Sequence, residues 1–346
     1  MNAINLATPH ALQPYWDLTL AAVRADALRI ALDWQLFNLL HTPNTAQAVA
    51  RQLQLDPDNT GYWLELLWSM GLLVRDEYLP AQYLNSALAS EYLRADAPHY
   101  CGDAWGFRLQ GLRHFGGQLG DQVRNGTPCG QAPKVATNID NWTLAARVQI
   151  AQEQRAVTVG VALRLMAQVP EFQSARRLLD LGGGPGLVAI ALAEANQMLR
   201  GEVFDFPQTV AVAAENIRLA GLEQRLQVRG GDVASDTIGE DYDLIWCSSV
   251  LHFVPDMAAT LAKMHAALRP GGVLVCAHAE IPAAAEHAQR VMPYYLSMQM
   301  LSRHVTRAGD LGEALRQAGF VHIEHYPEVA FAVTPVSVLV ARRSAS

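Results

Sequence analysis

The sequence predicts an α/β protein in which a doubly wound, mostly parallel sheet is preceded by a mainly α-helical, winged-helix-like domain. Three observations carry this. From Arg176 onward, short apolar runs of strand character alternate with helical stretches. The first of these strands enters a glycine-rich turn and then an Ala-rich helix, "LLDLGGGPGLVAIALA" (Leu178–Ala193). Up to about Leu93 the apolar spacing is helical instead, in the order helix, turn, helix, hairpin. The expected domains are residues 1–103 and 104–346, with 104–170 a helical connector.

In the first domain, "ALRIALDWQLFNLL" places apolar residues at helical spacing. In "NTAQAVARQLQLDPDNTGYWLELLWSMGLLVRDEYLP", Thr45 is the N-cap of one helix and Asp56-Pro57 the start of the next. A helix that reads DNA needs basic or amide side chains. The candidate helix "TGYWLELLWSMGLL" has none and carries Trp63, Leu64, Leu66, Leu67, Trp68 and Met70. Such a surface packs against protein, so dimerisation is expected and a nucleic-acid partner is not. From Ala104 to Met166 the chain is helical again, broken by the loop "RNGTPCGQAP".

In the second domain, "RRLLDL", "GEVFDF", "RLQVRGGDV", "YDLIWCSSV" and "GVLVCAHAEI" read as five strands. The helices "LVAIALAEA", "TVAVAAENIRLAG" and "MAATLAKMHAALR" fall between them. The helix "AGDLGEALRQAGF" and the strands "VHIEHYP" and "SVLVARR" close the chain. In such a sheet, ligands are expected at the carboxyl ends of the strands.

Composition narrows the function. Of 346 residues 51% are hydrophobic, enough for a sizeable core. The net charge of −7 argues against a general nucleic-acid binder, and Lys134 and Lys263 are the only lysines. Cys101, Cys129, Cys247 and Cys276 form no CxxC pair and read as buried thiols of a reducing compartment. The N-terminus has no basic start followed by an apolar signal core, and no apolar run is long enough to span a bilayer. A cytoplasmic protein without membrane partners is the expectation.

The glycine turn decides the ligand. A triphosphate-binding loop needs Lys followed by Ser or Thr after its last Gly, and no lysine is near. The dinucleotide pattern GxGxxG would need its third glycine at Leu187. The actual spacing, Asp180-x-Gly182-x-Gly184-x-Gly186, fits the DxGxGxG signature of S-adenosylmethionine (SAM) methyltransferases. Glycines there permit close backbone approach to a ligand with no pyrophosphate. Asp180 can accept at the turn or from the ligand's amino-acid end. Asp205 in "VFDFP", ending the next strand, suits ribose hydroxyls. Gly231-Asp232 in "RGGDV" ends the third, where a carboxylate can accept from an adenine amino group. Taken singly, the turn is equally a tight strand–helix junction and Asp232 a helix cap. Their order at successive strand ends is the signal.

With these motifs the chain resembles the two-domain small-molecule O-methyltransferases of plant phenolic and bacterial natural-product metabolism. The likeness runs from "ALRIALDWQLFNLL" through "LLDLGGGPG", "VFDFP", "RGGDV", "DLIWCSSVLHFVPD" and "LRPGGVLV" to "EALRQAGF". It implies a class I Rossmann-like SAM domain and a homodimer formed through the N-terminal domain. It also implies methyl transfer to a hydroxyl of a small acceptor, leaving S-adenosyl-L-homocysteine. The residues it implies at the cofactor are Asp180, Gly182, Gly184, Asp205, Phe206, Gly231, Asp232, Val233 and Ser248, the last at the amino-acid end. No metal is implied.

Family members use as base a His after the fourth strand, in a His-Asp-Trp context. In "VLHFVPD" His252 takes that position, Phe253 and Val254 replace the Asp and Trp, and Asp256 follows. The bland reading of His252 is packing at a helix start. Where the family has an orienting Glu after the fifth strand, this chain has His278, with Glu280 two residues on. If the strand continues, both share one face. Glu280 would then be the displaced carboxylate, or His278 a donor in the acceptor pocket. Met292, Tyr295, Met298 and His304 in "RVMPYYLSMQMLSRHVTR" are expected to line that pocket, with Trp142 and Gln149 from the connector. The sequence leaves open N- or C-methylation on the same fold, a non-methylating SAM enzyme, and a winged-helix regulator.

Overall fold

The computed structural model describes residues 9–126 and 141–345. The chain forms two compact units, Met1–Leu109 and Gln110–Ser346, divided within the helix Gly102–Asn125. The loop expected over Arg124–Pro133, with Cys129, lies largely outside the described residues.

The first unit is built on helices Gln13–Asp33, Ala46–Leu53 and Pro57–Ser69. Strands β1 (Asn44–Thr45), β2 (Leu73–Arg75) and β3 (Gln82–Asn85) form a small antiparallel sheet in the order β1-β3-β2. Both expected helix starts are present. The Thr45 hydroxyl accepts from the Ala48 amide at 3.2 Å, and the Asp56 carboxylate from the Asn59 amide at 2.8 Å. Leu36, Phe37, Leu40, Leu64 and Leu67 fill the core, and the Trp63 indole donates to the Ala27 carbonyl. Tyr15, Trp16, Leu18 and Val23 on the first helix are exposed.

The second unit carries the main sheet. Its strands are β4 (Arg177–Leu181), β5 (Arg200–Asp205), β6 (Leu226–Gly230), β7 (Tyr242–Ser248), β8 (Leu268–His278), β11 (Val321–Val329) and β12 (Val336–Arg342). Two short strands, β9 (Glu280–Ile281) and β10 (Thr306–Arg307), pair separately. The seven-stranded order is β11-β12-β8-β7-β4-β5-β6. The strands from β8 to β6 are mutually parallel, and β12 is antiparallel to both neighbours. Alternate residues serve opposite faces: Leu178, Leu244, Val273 and Val275 enter one apolar cluster, Leu179, Ile245, Leu274 and Cys276 the other. Chain order reverses at β4, which sits between β7 and β5. This is the switch point beside which open α/β sheets hold ligands. Among the described residues no helix is long and apolar enough to cross a membrane.

Two local readings change. The strand expected to run through Ile281 ends at His278, because Glu280 and Ile281 leave the sheet to pair with Thr306 and Arg307. Helix in "RVMPYYLSMQMLSRHVTR" covers Met292–Met300 only, with a one-turn helix, Ala285–Ala288, before it. Two cysteines far apart in sequence, Cys247 and Cys276, are register partners on β7 and β8, both as free thiols.

Candidate active site

The glycine turn follows β4. Gly182 and Gly184 have φ of +66° and +58°, the left-handed region that disfavours side chains. A Cβ on Gly182 would run into a Val250 methyl, whereas one on Gly184 would meet only Ile150, at 3.6 Å. Asp180 is buried beneath the turn, and its Oδ2 has no partner. Burial pushes its carboxyl up to about 7.

Asp205 ends β5 and braces the turn. Its Oδ2 accepts from the Gly184 amide at 2.9 Å and its Oδ1 from the Phe206 amide at 2.7 Å. Burial raises it to about 6 against these two hydrogen bonds. Phe206 is the N-cap residue of helix Pro207–Leu219. Beyond β6, Gly231 packs against the Phe204 ring, where a Cβ would come within 2.8 Å. The Asp232 carboxylate accepts from the Ala234 amide, so it shapes its own turn. Val233 packs on the core, and its carbonyl accepts from Lys263. Ser248, half-buried, closes β7.

Gln154 carried no signal in the sequence. Its side-chain amide donates to the Gly183 carbonyl at 3.3 Å, and its oxygen accepts from the Leu187 amide at 3.2 Å. It therefore holds the turn to the first residue of the next helix. It belongs to a π-helical stretch, Gln154–Thr158, which follows another at Ala146–Ile150. Such bulges re-aim side chains on a long helix.

The histidines occupy the ends of β7 and β8. His252 is 1% exposed and His278 0%. Their rings stack with centroids 3.9 Å apart and planes inclined by 25°. His252 Nδ1 lies 2.6 Å from the His304 carbonyl. A carbonyl only accepts, so Nδ1 carries the proton and Nε2 keeps its lone pair. Nε2 has no partner, and His278 makes no close hydrogen bond at either nitrogen, its backbone neighbour being the same His304 carbonyl. Burial pulls His252 down to about 4 against the hydrogen bond to His304, and pulls His278 well below the usual histidine range.

Glu280 does not orient His252. Its Oε1 accepts from the Gly309 and Leu311 amides, both at 3.1 Å, at the start of helix Asp310–Gln317. The cause is the departure of β9 from the sheet, and the His304 carbonyl makes the contact expected of the carboxylate. Val254 packs in the core, and Asp256 caps helix Met257–Ala267.

Of the acceptor-pocket candidates, two come to His252 and a third to the neighbouring Phe253. The Tyr295 ring is 5.0 Å from His252, and Trp142 meets Phe253 edge to face at 4.8 Å. His304 supplies its carbonyl, while its ring lies 3.3 Å from the Pro255 carbonyl. Met298 packs against the core, and Met292 is 40% exposed. Gln149 is buried and donates to Glu153 on its own helix at 2.9 Å.

The parallel sheet, glycine turn and acidic strand ends define a class I methyltransferase fold. The sequence matches the O-methyltransferase domain family over residues 129–321 and the O-methyltransferase dimerisation domain over 16–95. The chain belongs to this SAM-dependent O-methyltransferase family. It is 30% identical over 273 residues to the N,N-dimethyltransferase OxyT of Streptomyces rimosus, covering 75% of this chain and 76% of that protein. It is 29% identical to an uncharacterized protein of Methanocaldococcus jannaschii over 64% of this chain, and the match spans 58% of that protein's length. The crystal structure of human N-acetylserotonin methyltransferase in complex with SAM superposes with a TM-score of 0.77 at 21% identity. That superposition covers 99% of this chain and all of the other.

The strand ends fit the family's cofactor. Its ammonium, ribose hydroxyls and adenine amine are all donors, and Asp180, Asp205 and Asp232 are acceptors at successive strand ends. The unpartnered Asp180 Oδ2 is the clearest sign, a buried acceptor lacking its donor.

Proposed function

We propose that this chain methylates a hydroxyl of a small, flat aromatic or enolic acceptor, with His252 as the general base. When bound, SAM supplies the methyl group and the sulfonium leaving group. Asp180, Gly182, Gly184, Asp205, Phe206, Gly231, Asp232, Val233 and Ser248 are the residues proposed to hold it. The acceptor O–H bond breaks as His252 Nε2 takes the proton. The new O–CH₃ bond forms as the S–CH₃ bond breaks, leaving S-adenosyl-L-homocysteine. The observation that carries this reading is the tautomer of His252. Its only N–H is engaged by the His304 carbonyl, and its lone pair is buried without a donor.

The N-terminal residues 1–103 are proposed to form the homodimer, supported by the dimerisation-domain match and the exposed apolar face of the first helix. Residues 104–170 are proposed to contribute to the acceptor pocket, supported by Trp142 against Phe253. A cytoplasmic enzyme of specialised metabolism completes the reading.

N-methylation is the second reading, favoured by the name of the OxyT relative. An amine nucleophile needs less base assistance. The test is transfer of an isotopically labelled methyl group from SAM to hydroxyl and amine acceptors, by wild type and His252→Ala. Hydroxyl methylation predicts a loss of roughly 10²–10⁴-fold in kcat with SAM binding retained. A loss of a few-fold, with an amine as acceptor, supports N-methylation instead.

A further inference from the structure

We propose that His278 is a specificity-determining residue that binds a carbonyl oxygen next to the reacting hydroxyl. The acceptor class is then an aromatic or enolic hydroxyl flanked by a carbonyl. The inference rests on His252 being the base for hydroxyl methylation, and it adds the second oxygen.

A neutral imidazole has one N–H and one lone pair. His252 has used its N–H on the His304 carbonyl and presents only the lone pair of Nε2. His278 makes no close hydrogen bond, having only a looser approach to the His304 carbonyl that His252 already holds, and it is completely buried. Buried polar side chains in folded proteins find partners, and a buried N–H without one is costly. His278 closes β8, among the strand ends where an open α/β sheet binds its ligand. Glu280, the nearest carboxylate in sequence, has turned away to cap a helix. With the His304 carbonyl already taken at 2.6 Å by His252, the partner proposed for a full hydrogen bond from the His278 N–H is the acceptor.

The stacking adds geometry. The ring centroids are 3.9 Å apart, and in this proposal one small molecule meets the edges of both rings. One edge takes a hydroxyl proton, and the other donates to an oxygen. A hydroxyl beside a carbonyl matches this pair, since its own internal hydrogen bond joins the same two groups. On binding, His252 replaces the internal acceptor and His278 the internal donor. A lone phenol would satisfy His252 and leave the His278 N–H buried without a partner. The rings of Tyr295 and Phe253 beside His252 suit a planar molecule.

The test uses isomer pairs that differ only in the position of the hydroxyl: ortho- and para-hydroxyacetophenone, and the peri- and beta-hydroxyanthraquinones. Labelled methyl transfer is followed as kcat/KM, with SAM affinity measured by calorimetry on each variant. The wild type is expected to favour the adjacent isomers by at least about tenfold. His278→Leu should erase that preference with SAM affinity unchanged, and His278→Gln, which keeps an N–H donor, should retain part of it. Equal use of the isolated isomers by wild type overturns the inference, as does a preference that survives in His278→Leu. Methylation of none of the four with SAM bound also counts against it. Failure of the wild type to bind SAM defeats the underlying functional reading instead.

Discussion

At the ends of β4 and β5, burial pushes two carboxyls up, Asp180 to about 7 and Asp205 to about 6. At the ends of β7 and β8, it pushes two imidazoles down, His252 to about 4 and His278 well below the usual histidine range. One physical cause, loss of water, acts in opposite directions because the neutral form is the acid in one case and the base in the other. The carboxylate side suits a ligand that brings positive charge. The histidine side suits a ligand that brings a hydroxyl proton and no charge. The two halves of a methyl-transfer reaction make these same demands.

The largest expected effect falls on the histidine side. His252→Ala should lower kcat by roughly 10²–10⁴-fold, while leaving SAM affinity near wild type. If both fall together, the two sides are not separable and the comparison breaks.

Stability against pH sharpens it. His252 is held below its unfolded value of 6.5, so below that pH the unfolded chain binds more protons than the folded one. Relative to His252→Gln, the wild type should lose on the order of 3 kcal/mol as pH falls from 6.5 to about 4. Asp180 is held above its unfolded value of 3.8, so the sign reverses. Relative to Asp180→Asn, the wild type should lose up to about 4 kcal/mol as pH rises from 3.8 to about 7. Denaturant titrations of the three ligand-free proteins across this range measure both. Parallel slopes would contradict the opposed signs.

A smaller effect couples the carboxylates to the ligand. A cation at the strand ends draws Asp180 and Asp205 back toward ionisation. SAM affinity should therefore rise with pH up to about 7, with proton release detectable in buffers of different ionisation enthalpy. A flat profile would detach the carboxylates from the cofactor. The smallest effect is expected from Glu280→Gln. It weakens the cap of helix Asp310–Gln317 and should cost about 1 kcal/mol of stability with kcat near wild type. A large loss of kcat at normal stability would return Glu280 to the catalytic group.

How much of this was legible in the sequence follows the same division. Asp180, Gly182, Gly184, Asp205 and Asp232 lie at the ends of successive strands, so a local pattern of residue types is enough to place them along one edge of the sheet. The position of His252 after β7 is legible in the same way, but its partner is not. That partner is a backbone carbonyl 52 residues away, and no side-chain pattern encodes a carbonyl. Alternation extended beyond His278 puts Glu280 on the His278 face, but pairing of Glu280 with Thr306 takes the chain out of the sheet. Such non-local pairing leaves no trace in a run of apolar residues. Gln154 reads as ordinary helix surface, and only the packing of its helix on the glycine turn makes it a clamp. Cys247 and Cys276 meet because of parallel register, which is likewise set by the whole sheet.

The most direct measurement is calorimetric titration of SAM and S-adenosylhomocysteine into the wild type and Asp205→Ala. The wild type is expected to bind both, and the substitution to weaken binding tenfold or more, about 1.4 kcal/mol. Equal affinity in the two proteins, or no binding to folded wild type, would contradict this expectation.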